Sequence, residues 1–444
     1  MSPTAYRSSR RPSRSAPRPM PDGPAGEHRL LAGVGSDGRA VSLDDHLAQW
    51  GTIPRWEGSE FLDELDASGL RGHGGAWFPV GSKWRSVGRV GLRTPVVVAN
   101  GAEGEPASGK DRLLIHQLPH LVLDGAVIAA TTLGASRVLV HVPADGARAM
   151  TAAVEERARV ALDPCSIDIV VAPDRFLAGQ ESAVVNTING RNPATPSFIG
   201  LVPVRERGVG GRPTLVQNVE SLAHVALIAR FGGAWFRRIG TAESPGTTLL
   251  TVTGGWPEPQ IVEVPLGAPL GDLLRLGTEA AESVQAVLLG GYGGGWITLR
   301  EAITMPLTED AARGLGSSIG AGVVALLPAG VCPLSEVARV VRYLEGQGAG
   351  QCGPCINGLD LLATTMEHLA FRPNRLRAGI SDVPELCRLV EGRGACRHPD
   401  GVARFVRTSL RVFDHHITHH LQRGPCHTTA LPFLPVPKGA GRTW

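Results

Sequence analysis

With 444 residues, 43% of them hydrophobic and 19% charged, the chain is long enough for about three ordinary domains and is neither fibrous nor disordered in composition. A formal net charge of only +3 gives no general polyanion-binding character, and the longest uncharged apolar stretches, such as Ala321 to Val331, fall short of a membrane-spanning helix. Seven cysteines are an odd number, and no apolar secretory leader precedes them, so a disulfide framework is not expected.

Arg7, Arg10, Arg11, Arg14 and Arg18 alternate with Ser and Pro before the first acid, Asp22. With no apolar core within it and no aromatic platform after it, residues 1–40 read as a disordered basic tail rather than a targeting peptide or a nucleic-acid arm. From Ser59 to Gly233 helical segments alternate with short β-branched runs. Ser59 is placed to cap a helix whose Phe61, Leu62 and Leu65 share a face and which Gly69 ends. Pro95 to Asn100 is almost wholly apolar, as a strand covered on both faces must be. Arg137 to Val142 and Ile167 to Ala172 are further strands, with the helical stretch Gly146 to Leu162 between them. This rhythm predicts an α/β domain over residues 41–240, with a parallel sheet and helices on both sides.

The composition changes over residues 245–328. Thr247 to Thr253, a Gly-Gly turn, Ile261 to Val264, a short helix near Leu270 to Leu276, and Val287 to Leu289 before a run of glycines predict a compact β-grasp-like domain. Residues 330–423 turn helical, in the segments Leu334 to Leu344, Gly358 to Leu369, Val383 to Val390 and Gly401 to Phe413, which predicts a small bundle. Residues 424–444 are rich in Pro and Gly and read as a loose tail.

Five segments carry chemistry. Arg71 to Trp84 is a glycine-rich loop with Lys83 at its end, suited either to cradling a phosphate on backbone amides or simply to close packing. Asn100 to Pro106 follows the carboxyl end of a predicted parallel strand, where open α/β sheets bind ligands. Its Glu103 and Glu105 suit a ribityl, ribose or flavin edge, or plain solvation. Gly179 to Val184 and Gln217 to Ser221 each open a helix, whose free amides can face a ligand, although Asn218 can equally be a cap. Cys352 and Cys355, spaced to chelate one centre, are followed by Cys396 on a later loop, as an iron–sulfur cluster requires. A redox dithiol is the rival, but no thioredoxin-like strand-to-helix junction is apparent. Cys165 and Cys387 read as ordinary buried thiols. His415, His416, His419 and His420, before Cys426, form either a wet helix end or a metal-binding face.

In this order the motifs resemble those of the NADH-binding, F-type flavoprotein subunit of respiratory complex I, the NADH-quinone oxidoreductase, a family shared with formate dehydrogenase and hydrogenase subunits. The likeness runs over roughly Gly69 to Phe413. It implies a Rossmann-like FMN domain, a β-grasp domain of the soluble-ligand-binding type, and a C-terminal helical bundle carrying an iron–sulfur site. In the family the glycine loop holds FMN; Gly72, Gly74, Gly75 and Lys83 match it, while His73 and Trp77 stand for Arg and Gly. The resemblance further assigns Asn100, Glu103, Gly179, Gln180, Glu181, Asn218 and Ser221 to FMN, with Ala102 replacing an Asp. Phe78 and Glu105 correspond to contacts of the nicotinamide nucleotide NAD(H). Ser86 stands where a second aromatic is expected, and Phe198 to Pro203 carries no lysine.

Cys352, Cys355 and Cys396 match three of four cluster ligands, with Ala349 in the first position. Cys332 is the expected substitute, with His398 behind it, for a 4Fe-4S cluster. Three thiolates alone suit a 3Fe-4S cluster, and a structural zinc on three Cys and one His is the non-redox version. The implied function is electron transfer from NADH or another donor through FMN and the cluster to an iron–sulfur or ferredoxin-like partner subunit. No protein acid or base is needed for the hydride step. The protein is expected to be cytoplasmic, with no nucleic acid and at most peripheral membrane contact through a partner. The competing readings are a flavoprotein fed by a ferredoxin-like partner without NADH, and a non-catalytic assembly subunit stapled by zinc.

Overall fold

The computed structural model describes residues 29–35, 38–56, 59–88, 93–192, 195–196, 202–254, 258–274, 283–375, 380–426 and 432–437. Most of the basic tail, and residues 198–201 of the lysine-free segment, lie outside these.

Four strands make the first sheet: β1 (Val96–Asn100), β2 (Arg137–Val142), β3 (Ser166–Val171) and β4 (Thr214–Asn218). All pairings are parallel, in the order β3-β2-β1-β4. The apolar run of β1 has the cause expected of it. Val97 and Ala99 enter one buried cluster, Val96 and Val98 another on the opposite face, because successive strand side chains alternate. Helices Pro119–Leu133 and Val219–Phe231 cover the first face side by side. Their approach depends on Gly125, where a Cβ would lie 2.0 Å from the carbonyl oxygen of Leu222. β4 was not expected as a strand, since Thr214 to Asn218 runs without a break into the next helix.

Five strands make the second sheet: β5 (Thr247–Thr253), β6 (Gln260–Pro265), β7 (Val284–Leu289), β8 (Gly295–Thr298) and β9 (Val323–Pro328), in the order β6-β5-β9-β7-β8. β9 is parallel to β5 and antiparallel to β7, so the apolar run from Ala321 to Val331 is the centre of a sheet. Val252, Leu289 and Val324 face this sheet's own short helices, while Leu288, Val323 and Ala325 face the C-terminal helices. Those helices are Pro333–Gln347, Leu359–Phe371, Val383–Val390, His398–Val412 and Asp414–Arg423. Among the described residues no single helix is long and apolar enough to cross a membrane.

Three expectations are corrected. Ser59 precedes helix Glu60–Ser68 in a helical conformation, and its side chain makes no capping hydrogen bond; Gly69 does end that helix in the left-handed region. The tail ends well before residue 40. Arg29 is buried, its guanidinium donates to the carbonyls of Trp235 and Phe236, and Glu263 accepts from the amides of Arg29 and Leu31. At the other end, residues 432–437 are docked: Leu434 is buried, its amide donates to Glu336, and the Tyr292 hydroxyl donates to the Pro435 carbonyl. In both places a few apolar residues and paired polar groups anchor a stretch whose average composition looks loose.

Candidate functional site

The strand order reverses at β1, which has β2 on one side and β4 on the other. Ligands bind outside the carboxyl ends of strands at such a switch point. Asn100 and Asn218 are paired there, one at the end of each strand. Asn100 Nδ2 donates to the Gly179 carbonyl at 2.9 Å. Asn218 caps the next helix by accepting from the Glu220 amide, and its Nδ2 donates to Asp111 at 2.6 Å.

The glycine loop closes over this point. Arg71 and Pro79 bridge its two limbs, and the Gly72 amide donates to the Phe78 carbonyl. Gly74 sits on Asn218, where a Cβ would meet the asparagine Cβ at 3.2 Å, and Gly75 has φ +94°. Trp77, at φ 51°, accommodates its bulk by turning the indole into the core of the second sheet, 4.9 Å from the His73 ring. Lys83 donates to the Val216 carbonyl and pairs with Glu181 at 3.1 Å, at the edge of the loop.

Beneath the loop lies a charged cluster that the linear motifs did not signal. The buried Lys110 ammonium contacts Glu220 at 2.6 Å and Asp111 at 2.8 Å, and it donates to the His73 carbonyl at 3.2 Å. Burial disfavours this ammonium, but the two carboxylates outweigh burial and raise its pKa. Burial would raise Glu220 as well; His73 and Lys110 reverse that and hold it below the carboxylate range. Asp111 is raised, chiefly by burial. The one sequence hint was an adjacent Lys-Asp pair opening a helix, which is common on exposed helices and therefore uninformative.

A cavity of about 810 Å³ runs from this loop into the C-terminal helices, a size typical of cofactor sites. Its lining includes Gly72, Gly74, Gly75, Lys83, Asn100, Glu103, Gly179, Gln180, Glu181 and Asn218, together with Phe78 and Glu105. Ser221 is not in that lining. Its hydroxyl accepts from the His73 amide behind the loop, so it shapes the loop rather than facing the cavity. Glu103 accepts from the amides of Asp111 and Arg112. Glu105 accepts from the Tyr292 amide of the second sheet, and burial pushes its carboxyl up to about 8. Phe78 is half exposed at the mouth. Ser86 donates to the Lys83 carbonyl within its own helix and adds no stacking surface.

The same cavity reaches Cys396 and His398. Cys355 sits in a π-helical turn, Pro354–Gly358, a distortion frequent at functional sites. Burial and then the neighbouring Cys352 and Cys396 push its thiol up to about 12. A cationic iron centre among the three thiols would offset that cost, so the donor set suits one. A single zinc ion needs sulfurs ~3.8 Å apart, from its ~2.3 Å bonds. Among the described residues three donors come within 4.8 Å of one another at two places only, and this trio is neither. At least one pair of these sulfurs is therefore farther apart than a single zinc ion holds without rearrangement.

Cys332 is not with them. It precedes helix Pro333–Gln347, while Cys355 Sγ lies 3.4 Å from the position a Cβ would take on Gly348, just past the helix's other end. Fifteen residues of helix put ~22 Å between the two, so Cys332 cannot replace the missing ligand. Spacing along the chain could not reveal a straight helix holding the two apart. His398 is buried beside Phe176, ring centroids 5.5 Å apart, with Nε2 donating to the Leu344 carbonyl. Cys387 is buried as expected, whereas Cys165 is only partly so.

A family model described as the Nuo51 FMN-binding domain matches residues 65–227, and one described as the NADH-ubiquinone oxidoreductase-F iron–sulfur binding region matches residues 335–420. In Rhizobium meliloti (strain 1021), the F 2 subunit of NADH-quinone oxidoreductase is 28% identical over 382 residues, covering 83% of this chain and 90% of the relative. The F subunit of the same enzyme in Rickettsia bellii (strain OSU 85-389) is 26% identical over 400 residues, covering 82% and 91%. Among solved structures, a chain of an NAD+-reducing NiFe-hydrogenase in the H2-reduced state superposes with a TM-score of 0.71 at 28% identity, covering 82% of this chain. This chain spans 62% of that longer one.

Proposed function

Because the chain belongs to the F-type flavoprotein subunits of NADH-quinone oxidoreductases, a divergent member at 28% identity, we propose that it is an electron-transfer oxidoreductase subunit. It passes electrons from NADH to FMN and on through an iron–sulfur cluster to a redox partner subunit. The observation that carries this reading is a single cavity lined at one end by Gly72, Gly74 and Asn100 and at the other by Cys396. A flavin held at one end and a cluster held at the other would border the same cavity.

When bound, FMN takes two electrons together and releases them singly, and the cluster moves them one at a time. The chain's own residues bind and orient. The amides around Gly74 and the Lys83 ammonium would hold the phosphate, the lysine giving up its pairing with Glu181. Asn100 and Asn218 fix the floor, with Glu103 at the flavin edge. Phe78 offers a ring to the nicotinamide nucleotide. Cys352, Cys355 and Cys396 would supply three cluster ligands, and Phe176 and His398 line the cavity along with Cys396.

We read the five-stranded sheet as the β-grasp unit and the five C-terminal helices as the cluster bundle. The sheet spaces and docks the two, as the Glu105 to Tyr292 hydrogen bond suggests. A second reading, with electrons delivered by a ferredoxin-like partner, is favoured by the serine at position 86, which gives the nucleotide no second ring. Anaerobic mixing with NADH decides between them. Rapid bleaching of the flavin absorbance is expected; no bleaching by NADH, with bleaching by reduced ferredoxin, selects the second. Isolated protein with neither flavin nor iron refutes both.

A further inference from the structure

Cys332 has its own partners. Its Sγ lies 3.6 Å from His420 Nε2, which is 3.2 Å from Cys426 Sγ, and Cys426 Sγ is 3.9 Å from His416 Nδ1. The donor atoms of Cys332, His420 and Cys426 all fall within 4.8 Å of one another. A tetrahedral zinc with Zn–S of ~2.3 Å and Zn–N of ~2.05 Å sets sulfur–nitrogen edges of ~3.6 Å and sulfur–sulfur edges of ~3.8 Å. The three observed separations are all between sulfur and nitrogen and bracket ~3.6 Å; His416 Nδ1 reaches Cys426 but stands outside the group of three, so its ring must turn to complete the tetrahedron.

Three segments converge to make this arrangement. Cys332 is held at the N-terminus of helix Pro333–Gln347. His416 and His420, four residues apart, share one face of helix Asp414–Arg423. Gly424, at φ +90°, turns the chain back to bring in Cys426. His420 is fully buried, and its Nδ1 donates to the Leu369 carbonyl at 3.0 Å. That bond fixes the tautomer and leaves the Nε2 lone pair facing the sulfurs, the usual orienting device for a metal-bound imidazole. The Cys426 amide donates to the same lone pair at 3.1 Å, a hydrogen bond that a bound metal would have to displace.

We propose that Cys332, His416, His420 and Cys426 form a Cys2His2 zinc site, separate from the flavin and the cluster. Two thiolates and two neutral imidazoles leave a zinc ion with no net charge, which suits a half-buried position. Four protein donors leave no open coordination position, so the site is structural. It ties the last helix to the first helix of the C-terminal group, beside the docked residues 432–437. Cys332 and Cys426 fall outside the span of the iron–sulfur family model, residues 335–420.

The test is elemental analysis of the full chain, purified anaerobically from zinc-replete cells. About one zinc per chain is expected besides the iron. Cys332→Ser and Cys426→Ser should each lose most of the zinc while keeping flavin and iron, and Cys352→Ser should lose iron while keeping zinc and flavin. Should the variants fail to fold, the wild-type protein still decides. Cobalt exchanged for the zinc should give the visible bands of a tetrahedral site with sulfur-to-cobalt charge transfer. Wild-type protein without zinc that takes up no cobalt, zinc retained in Cys332→Ser and Cys426→Ser, or a Cys332–Cys426 disulfide would each overturn the proposal.

Discussion

Lys110→Met tests the charged cluster under the glycine loop. Methionine fills nearly the same volume but removes the cation between Glu220, 2.6 Å away, and Asp111, 2.8 Å away. Both carboxylates are almost wholly buried, so solvent cannot take the lysine's place. Removing one partner of a buried pair typically costs ~3–5 kcal/mol. Asp111 is left stranded, while Glu220 keeps His73 at 3.1 Å and the Leu249 amide at 2.8 Å, which puts this variant near the middle of that range, ~4 kcal/mol at neutral pH. For a unit of ~200 residues, ~2.1 cal/mol/K of unfolding entropy per residue converts this to a drop of ~10 °C in melting temperature.

The loss must also depend on pH. In the variant Asp111, already raised by burial, loses its cation, whereas Glu220 keeps His73 beside it, so the folded form holds a proton on Asp111 that the unfolded form releases. Its stability therefore falls as pH rises from the ordinary carboxylate range toward neutrality, and the gap to wild type narrows in acid. Adding Asp111→Asn to Lys110→Met should restore a large part of the loss, because the stranded charge is gone. Calorimetric melts from pH 5 to 8 supply all these numbers, and flavin retention should fall in parallel because Lys110 also holds the His73 carbonyl. A deficit below ~1 kcal/mol, or one independent of pH, would refute this account of the cluster.

The other substitutions address the cofactors and the domain junction. Cys355→Ser should abolish bound iron while leaving the flavin content intact; unchanged iron would place the cluster elsewhere. Lys83→Ala removes a charge-assisted hydrogen bond to the phosphate worth ~1.5–3 kcal/mol. Competition from Glu181 puts the effect at the lower end, ~10-fold weaker FMN binding by equilibrium fluorescence, and an unaltered affinity excludes the lysine. Glu105, raised by burial to about 8, keeps its proton in the fold when the unfolded chain has lost it, so its contribution to stability falls between about 4.5 and 8. Glu105→Gln should therefore gain in melting temperature relative to wild type as pH rises from 5 to 8; a constant difference would show that this carboxyl titrates normally.

Local pattern carried much of the architecture. β2 coincides with its expected span because Arg137 to Val142 is a short β-branched run between clear boundaries. Helix Val383–Val390 agrees as well, its apolar residues recurring at helical spacing. The cavity lining around Gly74, Asn100, Gly179 and Asn218 was legible because each residue lies at the end of a strand or the start of a helix, positions that punctuation residues mark. β9 was not legible. Its apolar run says only that it is buried, and whether it pairs with β5 and β7 depends on strands distant in the chain. The same limit hid Lys110, whose partners Glu220 and His73 come from two other segments, and it misplaced Cys332. Linear spacing counts residues, whereas ligand sets are decided by distance, and the helix after Cys332 carries the chain ~22 Å from it before Cys355 appears. Residue types and their order thus determined the glycine-loop and cysteine motifs and their places along the chain. Only the tertiary structure decided that Cys332 stands apart from Cys355, because that depends on how helices far apart in sequence lie side by side.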